Sequence, residues 1–280
     1  MSPTAPPRTS QSVAKPLFDM AQRAIRRDRA FRQGPALFLF ERIFRDTLDR
    51  IALVNRRFRS ALMIGCPDPK SPDQLAQHVD QVAVVEPGPL FAAGVHGRII
   101  IEDHDRLGDT DYDLCVALGT LDTVNNLPLA LANIQAALRD DSLLIGAISG
   151  GDTLPMLRSA MRAADAVSGT ASPHIHPRID GPSLCDLLGG VGFLNAVVDI
   201  DRVSVGYPAM HSEVADLRAM GATNILAERS KIPLTRGAVT AAAKEFDRLQ
   251  RDGRTVETFE ILHFAAWTPS ASRRLGRDHG

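Results

Sequence analysis

Few constellations in this sequence could do chemistry, and the first is a turn. Gly65-Cys66-Pro67-Asp68-Pro69 follows the apolar run Ala61 to Ile64 and precedes Ser71-Pro72-Asp73-Gln74. A glycine turn between a strand and a helix lets backbone approach a nucleotide closely. About 20 residues further on, Glu86 ends a second apolar run, where a carboxylate can accept hydrogen bonds from ribose hydroxyls. A solvated strand-end carboxylate is the plainer alternative. Asp103, after a third run, could accept from an adenine amino group, although Glu102 to Asp105 reads more simply as an acidic turn. Gly119 opens the loop after a fourth run. The first loop departs from a nucleotide cradle, because Pro67, Pro69 and Pro72 fix φ and remove amide donors. The helix start survives, with Ser71 expected as N-cap and Gln74 completing a capping box.

His174-Ile175-His176 would put two imidazoles on one face of an extended segment, but a metal site needs more ligands, and no metal is expected. A structural or substrate-contact role fits these histidines better. No P-loop, nucleophile elbow or H-E-x-x-H is present. Cys66 has no nameable base, so a buried thiol is its expected state. The three cysteines form no C-x-x-C pair, which argues against a disulfide framework and for a reducing cytoplasm.

These loops need elements to hold them. Short apolar runs at Ala61–Ile64, Val82–Val85, Arg98–Ile101, Leu114–Leu118 and Leu143–Ile148 alternate with helical stretches, which specifies a doubly wound, mostly parallel sheet. In such a sheet ligands bind beyond the carboxyl ends of the strands, where all the loops above lie. Before the sheet, Leu17, Met20, Ala24 and Ile25 recur at helical spacing among Arg23, Arg26, Arg27 and Arg29, and Phe38 to Val54 repeats the pattern after a Gly34-Pro35 break. A solvated basic face is the expectation for these arginines, with a surface for a partner or acidic substrate as the sharper reading. The second half predicts helices at Leu154–Val167, Ser183–Leu188, Val214–Met220 and Val239–Gln250, and strands at Ala196–Ile200 and Thr255–Ala266.

At 280 residues the chain can bury one large α/β core, and a formal net charge of −1 gives no global field to recruit nucleic acid or an anionic membrane. Its apolar runs are far shorter than the ~20 residues of a membrane span. The boundaries read as a disordered tail at 1–15, one domain at 16–268 and a flexible tail at 269–280.

Several stretches carry a resemblance. They include Val124-Asn125-Asn126-Leu127-Pro128, Leu144-Ile145-Gly146-Ala147, Gly150-Gly151-Asp152-Thr153-Leu154 and Ser172-Pro173-His174-Ile175. Asp216 to Asn224, Phe259-Glu260-Ile261 with Trp267, and the opening Leu17-Phe18-Asp19 extend it. Over residues 16 to 268 the chain resembles the methyltransferase-like family of the respiratory complex I assembly factor, of arginine hydroxylase type. The biotin-pathway malonyl carrier-protein methyltransferase is a more distant cousin.

The resemblance implies a seven-stranded, Rossmann-like methyltransferase sheet with a helical lead-in, and an S-adenosylmethionine site lined by Gly65, Glu86, Asp103 and Gly119. It also implies a protein substrate such as a complex I subunit, faced by Asn125, Gly150, Gly151, Asp152 and His174. Two departures fall at that face: the proline-rich first loop, and Leu121-Asp122-Thr123 where the family carries aromatic residues. Modification or chaperoning of a protein substrate is therefore the leading expectation. A silent scaffold that has lost the cofactor and a small-molecule or carrier-protein methyltransferase are the rivals. Asp122 and His174 are the candidates for a general base.

Overall fold

The computed structural model describes residues 15–66, 68–107, 112–169 and 171–270. The expected tails, apart from Lys15, Pro269 and Ser270, lie outside these residues, as do Pro67 and Asp111. Two helices lead in, α1 (Met20–Gln33) and α2 (Phe38–Leu53). The alternating portion follows as β1 (Phe58–Ile64), α3 (Ser71–Leu75), β2 (Val79–Glu86), α4 (Pro89–Gly94), β3 (Arg98–Ile99), β4 (Tyr112–Leu118), α5 (Leu127–Ala137) and β5 (Leu138–Ser149). The chain closes with α6 (Pro155–Ser168), α7 (Gly181–Val191), β6 (Leu194–Tyr207), α8 (Met210–Ala219), α9 (Arg236–Arg248) and β7 (Thr255–Trp267).

Among the described residues the strands form one seven-stranded sheet in the order β3-β2-β1-β4-β5-β7-β6. The first five strands pair in parallel, whereas β7 runs antiparallel to both β5 and β6. Strand order reverses between β1 and β4, so their carboxyl ends open the crevice where an open α/β sheet binds ligand.

Alternation along the central strands supplies both faces of the sheet. Leu62, Ile64, Cys115, Ala117 and Leu144 point to the side covered by α5 and α7. Ala61, Met63, Leu114, Val116 and Ile145 point to the other, where Phe44 and Ile51 of α2 cover them. The apolar runs end where this two-sided burial ends. That is why β6 reaches beyond the predicted Ala196–Ile200: it lies at the sheet's edge, and polar Asp199, Asp201, Arg202 and Ser204 continue its pairing with β7. At α3 the expected capping box is absent. Lys70 takes the N-cap position, no side chain caps the helix, and Asp68 Oδ1 accepts from the Lys70 amide at 3.3 Å instead.

The N-terminus of α6 is satisfied from a distance. Leu154 precedes it with φ 63° and no side-chain cap, and Glu257 of β7 accepts from the Met156 and Leu157 amides at 3.3 and 2.8 Å. Glu213 of α8 is fully buried nearby, and burial first, then the Glu257 carboxylate, push its pKa up to about 9. The folded chain thus holds this proton up to about pH 9, whereas an unfolded glutamate releases it near 4.5. The associated stability is complete below about pH 4.5 and is lost as the pH rises to about 9. Glu213→Gln should match the parent's urea midpoint near pH 5 and exceed it increasingly towards pH 9. Parallel midpoints across that range would refute the assignment.

Candidate functional site

The crevice begins at Gly65, whose φ is 71° and whose amide donates to Val85 O at 3.0 Å. A Cβ there would stand 2.3 Å from Leu118 O, so the close approach of the β1 and β4 ends requires glycine. Gly119, with φ 70°, lies under Phe40 of α2, and its Cβ would come within 2.8 Å of that ring. Both glycines are therefore spent on packing this end of the sheet.

Glu86, at the end of β2, is fully buried. Its carboxylate accepts from Arg27 Nε at 2.7 Å and Nη2 at 2.8 Å, and from the Cys66 amide at 3.1 Å. Arg27 Nη2 also donates to Cys66 O at 3.0 Å, and its guanidinium lies 5.0 Å from the centre of the Phe91 ring. Burial alone would lower the Arg27 pKa, but Glu86 more than reverses this and holds it above its ordinary value. One turn earlier on α1, Arg23 makes a second fork, donating to Glu102 from Nη1 at 2.6 Å and Nη2 at 2.7 Å. Nη2 also reaches Thr120 O at 2.7 Å, and Nε reaches Thr123 Oγ1 at 3.0 Å. Burial would raise the Glu102 carboxyl, but Arg23 outweighs it and the pKa stands below the usual carboxylate value. The expectation of a solvated basic face is overturned for both residues, which are only 3% and 6% exposed.

The start of α1 is tied to the same crevice. Asn125 Oδ1 accepts from the Phe18 amide at 2.8 Å, and its Nδ2 donates to Phe18 O at 3.2 Å. The Asp19 amide donates to Ile225 O at 2.8 Å, and Asp19 caps the helix by accepting from the Gln22 amide at 3.0 Å. What remains open is a cavity of about 100 Å³, lined by Arg23, Arg27, Phe40, Gly119, Asp122 and Arg178 among others. Pockets that enclose drug-sized ligands run to ~300–1,000 Å³. Glu86 already holds a guanidinium and two backbone amides, and Glu102 is likewise committed. As arranged, these residues do not fit S-adenosylmethionine.

The other residues singled out in the sequence have partners of their own. Asp103 is buried and accepts from the Asn126 amide at 2.7 Å, while its Oδ1 has no partner among the described residues. Asn125 is occupied by the Phe18 backbone. Gly150 and Asp152 belong to a loop pinned to β7 and β6: the Gly150 amide donates to Glu260 O at 2.8 Å, and Asp152 pairs with Arg202 at 3.1 Å. Gly151 is exposed. His174 Nε2 lies 2.8 Å from Asp165 Oδ1 on α6, whereas His176 accepts from the Ile225 amide at 3.0 Å and meets the Phe18 ring edge-on. The two imidazoles therefore have separate partners, and no group of three metal-ligating side chains occurs among the described residues. Burial, then Arg178, push the His176 pKa down to about 4. Asp122 pairs with Arg178 at 3.1 Å. Cys66 is the inert buried thiol expected, its pKa pushed up to about 12 by burial and then by Glu86.

The residues that dominate the crevice, Arg23, Arg27 and Arg178, were not among the site candidates. Arg23, Arg27 and Ala30 share one face of α1, while Ile25 falls on another and is 53% exposed, but spacing alone does not say which face is buried.

No protein-family model matches the chain. The mouse arginine-hydroxylase NDUFAF5, mitochondrial, is 32% identical over 297 residues, spanning 98% of this chain and 84% of its own length. The human counterpart is 30% identical over 261 residues, covering 87% of this chain and 73% of that protein. This chain belongs to the NDUFAF5 family. A malonyl-[acyl-carrier protein] O-methyltransferase of Laribacter hongkongensis is 34% identical over 176 residues, 60% of this chain and 58% of that one. Among solved structures, the YcgJ protein of Bacillus subtilis superposes with a TM-score of 0.56 at 8% identity, over 81% of this chain and 99% of that one. At that identity the likeness shows the fold alone, which is the Rossmann-like methyltransferase fold.

The crevice of this NDUFAF5-family chain is filled from within, by the buried Arg23 and Arg27 pairs. Removing one partner of a buried ion pair costs about 3–5 kcal/mol, because the other charge is left desolvated. Arg27→Met should lower stability by about that amount in urea unfolding at neutral pH. Arg27→Met/Glu86→Gln should restore most of the loss. A single variant as stable as the parent would show that the pair is not formed in solution.

Proposed function

We propose that this methyltransferase-family protein acts on a protein substrate, a respiratory complex I subunit in the reading that the resemblance supports, and that it handles this substrate as a scaffold. The observation that carries the scaffold reading is the filling of the nucleotide end of the crevice by Arg23 and Arg27. Both guanidinium groups are buried on carboxylates that a nucleoside would otherwise use. Family membership at 32% identity over nearly the whole chain supports the protein-substrate half.

A second reading keeps group transfer from S-adenosylmethionine, and the methyltransferase relatives favour it. It requires α1 to withdraw, exposing Glu86 and Glu102 together. Action on a carrier protein would follow the Laribacter hongkongensis relative. We place the chain in the cytoplasm, in keeping with three free cysteines, and no helix among the described residues is long and apolar enough to cross a membrane.

Thermal unfolding with S-adenosylmethionine and its demethylated product separates these readings. Ligand at ~100 times its dissociation constant adds about 2.7 kcal/mol, which for a chain of this size raises the midpoint by roughly 5 °C or more. The scaffold reading expects no shift at millimolar ligand, together with capture of a complex I subunit. A shift of several degrees would set it aside in favour of group transfer. Capture of an acyl carrier protein alone would point to the carrier-protein role.

A further inference from the structure

The side of α1 turned away from the crevice carries cations of a different kind. Arg26 and Arg29 are partly buried, and each has a buried Nε with no hydrogen-bond partner among the described residues. Arg29 Nη2 donates to Thr223 Oγ1 at 3.0 Å. Burial first, then Arg229 and Arg218, lower the Arg26 pKa, and burial followed by Arg26 and Arg218 lowers that of Arg29. These guanidinium groups crowd one another without an opposing carboxylate. Asp19 lies beside them, but it caps α1 and pairs with Arg229 at 3.1 Å. Arg218, in the last turn of α8, and Lys231 are exposed and bond to no carboxylate among the described residues.

Exposed apolar side chains neighbour these cations along the chain. Ile25 is 53% exposed on the same helix, and Ile232, three residues after Arg229, is 79% exposed. Like charges held together at the edge of a protein disfavour one another, and an anion placed among them relieves this at little added desolvation cost. Exposed apolar groups beside such a cluster add area that a phosphate backbone does not match but an amphipathic peptide does.

We propose that the outer face of α1, with the end of α8 and the 229–232 segment, docks an acidic, partly apolar segment of a partner protein. Arg26, Arg29, Arg218 and Lys231 meet its carboxylates, and Ile25 and Ile232 meet its apolar side chains. The proposal rests on the protein-substrate reading above and names the chemistry by which that substrate, or a protein delivered with it, is held. It leaves the inner face, with Arg23 and Arg27, to its buried pairs.

The test uses the full chain and a fluorescein-labelled amphipathic peptide of Glu and Leu at helical spacing, followed by anisotropy. The parent should bind, and more weakly as salt rises from 50 to about 300 mM, as expected for exposed charges. Arg26→Glu/Arg29→Glu should weaken binding at least ten-fold, whereas Arg26→Lys/Arg29→Lys should stay within about three-fold. If the first variant fails to fold by circular dichroism, Arg218→Glu/Lys231→Glu, at exposed positions, makes the same measurement. Unchanged affinity on charge reversal would overturn the proposal. So would equal binding of a Lys-Leu peptide, or tighter binding of an oligouridylate that charge reversal abolishes. Subunit capture undiminished by charge reversal would sink this surface and leave the protein-substrate reading standing. Peptide binding without any subunit capture would do the reverse.

Discussion

Two guanidinium–carboxylate pairs sealed from water govern the architecture of this molecule. An unpaired buried carboxylate carries a desolvation penalty of several kcal/mol, so Glu86 and Glu102 must be either solvated, protonated or matched. Here each is matched by two donors of a planar fork, the geometry in which arginine binds carboxylate best. The two arginines lie four residues apart on one helix, so the pairs can only form together, with α1 in one register. That register in turn sets the Phe18 clasp on Asn125 and the strand-like contact of Phe18 with Leu226. Such pairs add little net stability over an apolar core, but they specify position strongly, since any displacement of α1 leaves two charges uncompensated at once.

The sheet was largely legible in the sequence because its central strands are buried on both faces, so hydrophobicity runs unbroken through them. Legibility fell where burial became one-sided. The edge strand β6 alternates polar and apolar residues, and only its first part looked like a strand. The helical lead-in is legible in the sequence, but its buried side is not. Periodicity found the spacing of Leu17, Met20, Ala24 and Ile25, but the buried stripe is Arg23, Arg27 and Ala30. No local rule could have chosen between them, because the groups that make an arginine stripe buriable stand 59 and 79 residues away on the strand ends.

The same contingency explains the candidate residues. Asn125, expected to face a substrate, is occupied instead by the Phe18 backbone, accepting from its amide and donating to its carbonyl. The Gly150–Thr153 loop was placed correctly after β5. Yet the turn carries it towards β7, where a Cβ at Gly150 would lie 2.3 Å from Glu260 Oε1. In both cases the residue type reported a tight local geometry, and the sequence did not say what the geometry was for.

This bears on how the glycines of the crevice should be read. Gly65 and Gly119 hold the positive φ and the close approaches that a nucleotide cradle demands, in a site that the chain's own arginines fill. What requires glycine there is the contact with Leu118 O and with the Phe40 ring, both of which belong to the fold. Glycine at both positions is therefore compatible with a crevice that binds nothing, and it is no signature of the cofactor. The more discriminating feature is the state of Glu86. A carboxylate at the end of β2 that is free to meet ribose must be reachable from solvent, and this one has no exposed surface and four donors already converging on it. The fold has the shape of a nucleotide site whose electrostatics are closed by α1, and the helix that closes it carries Arg26 and Arg29 away from the buried pairs.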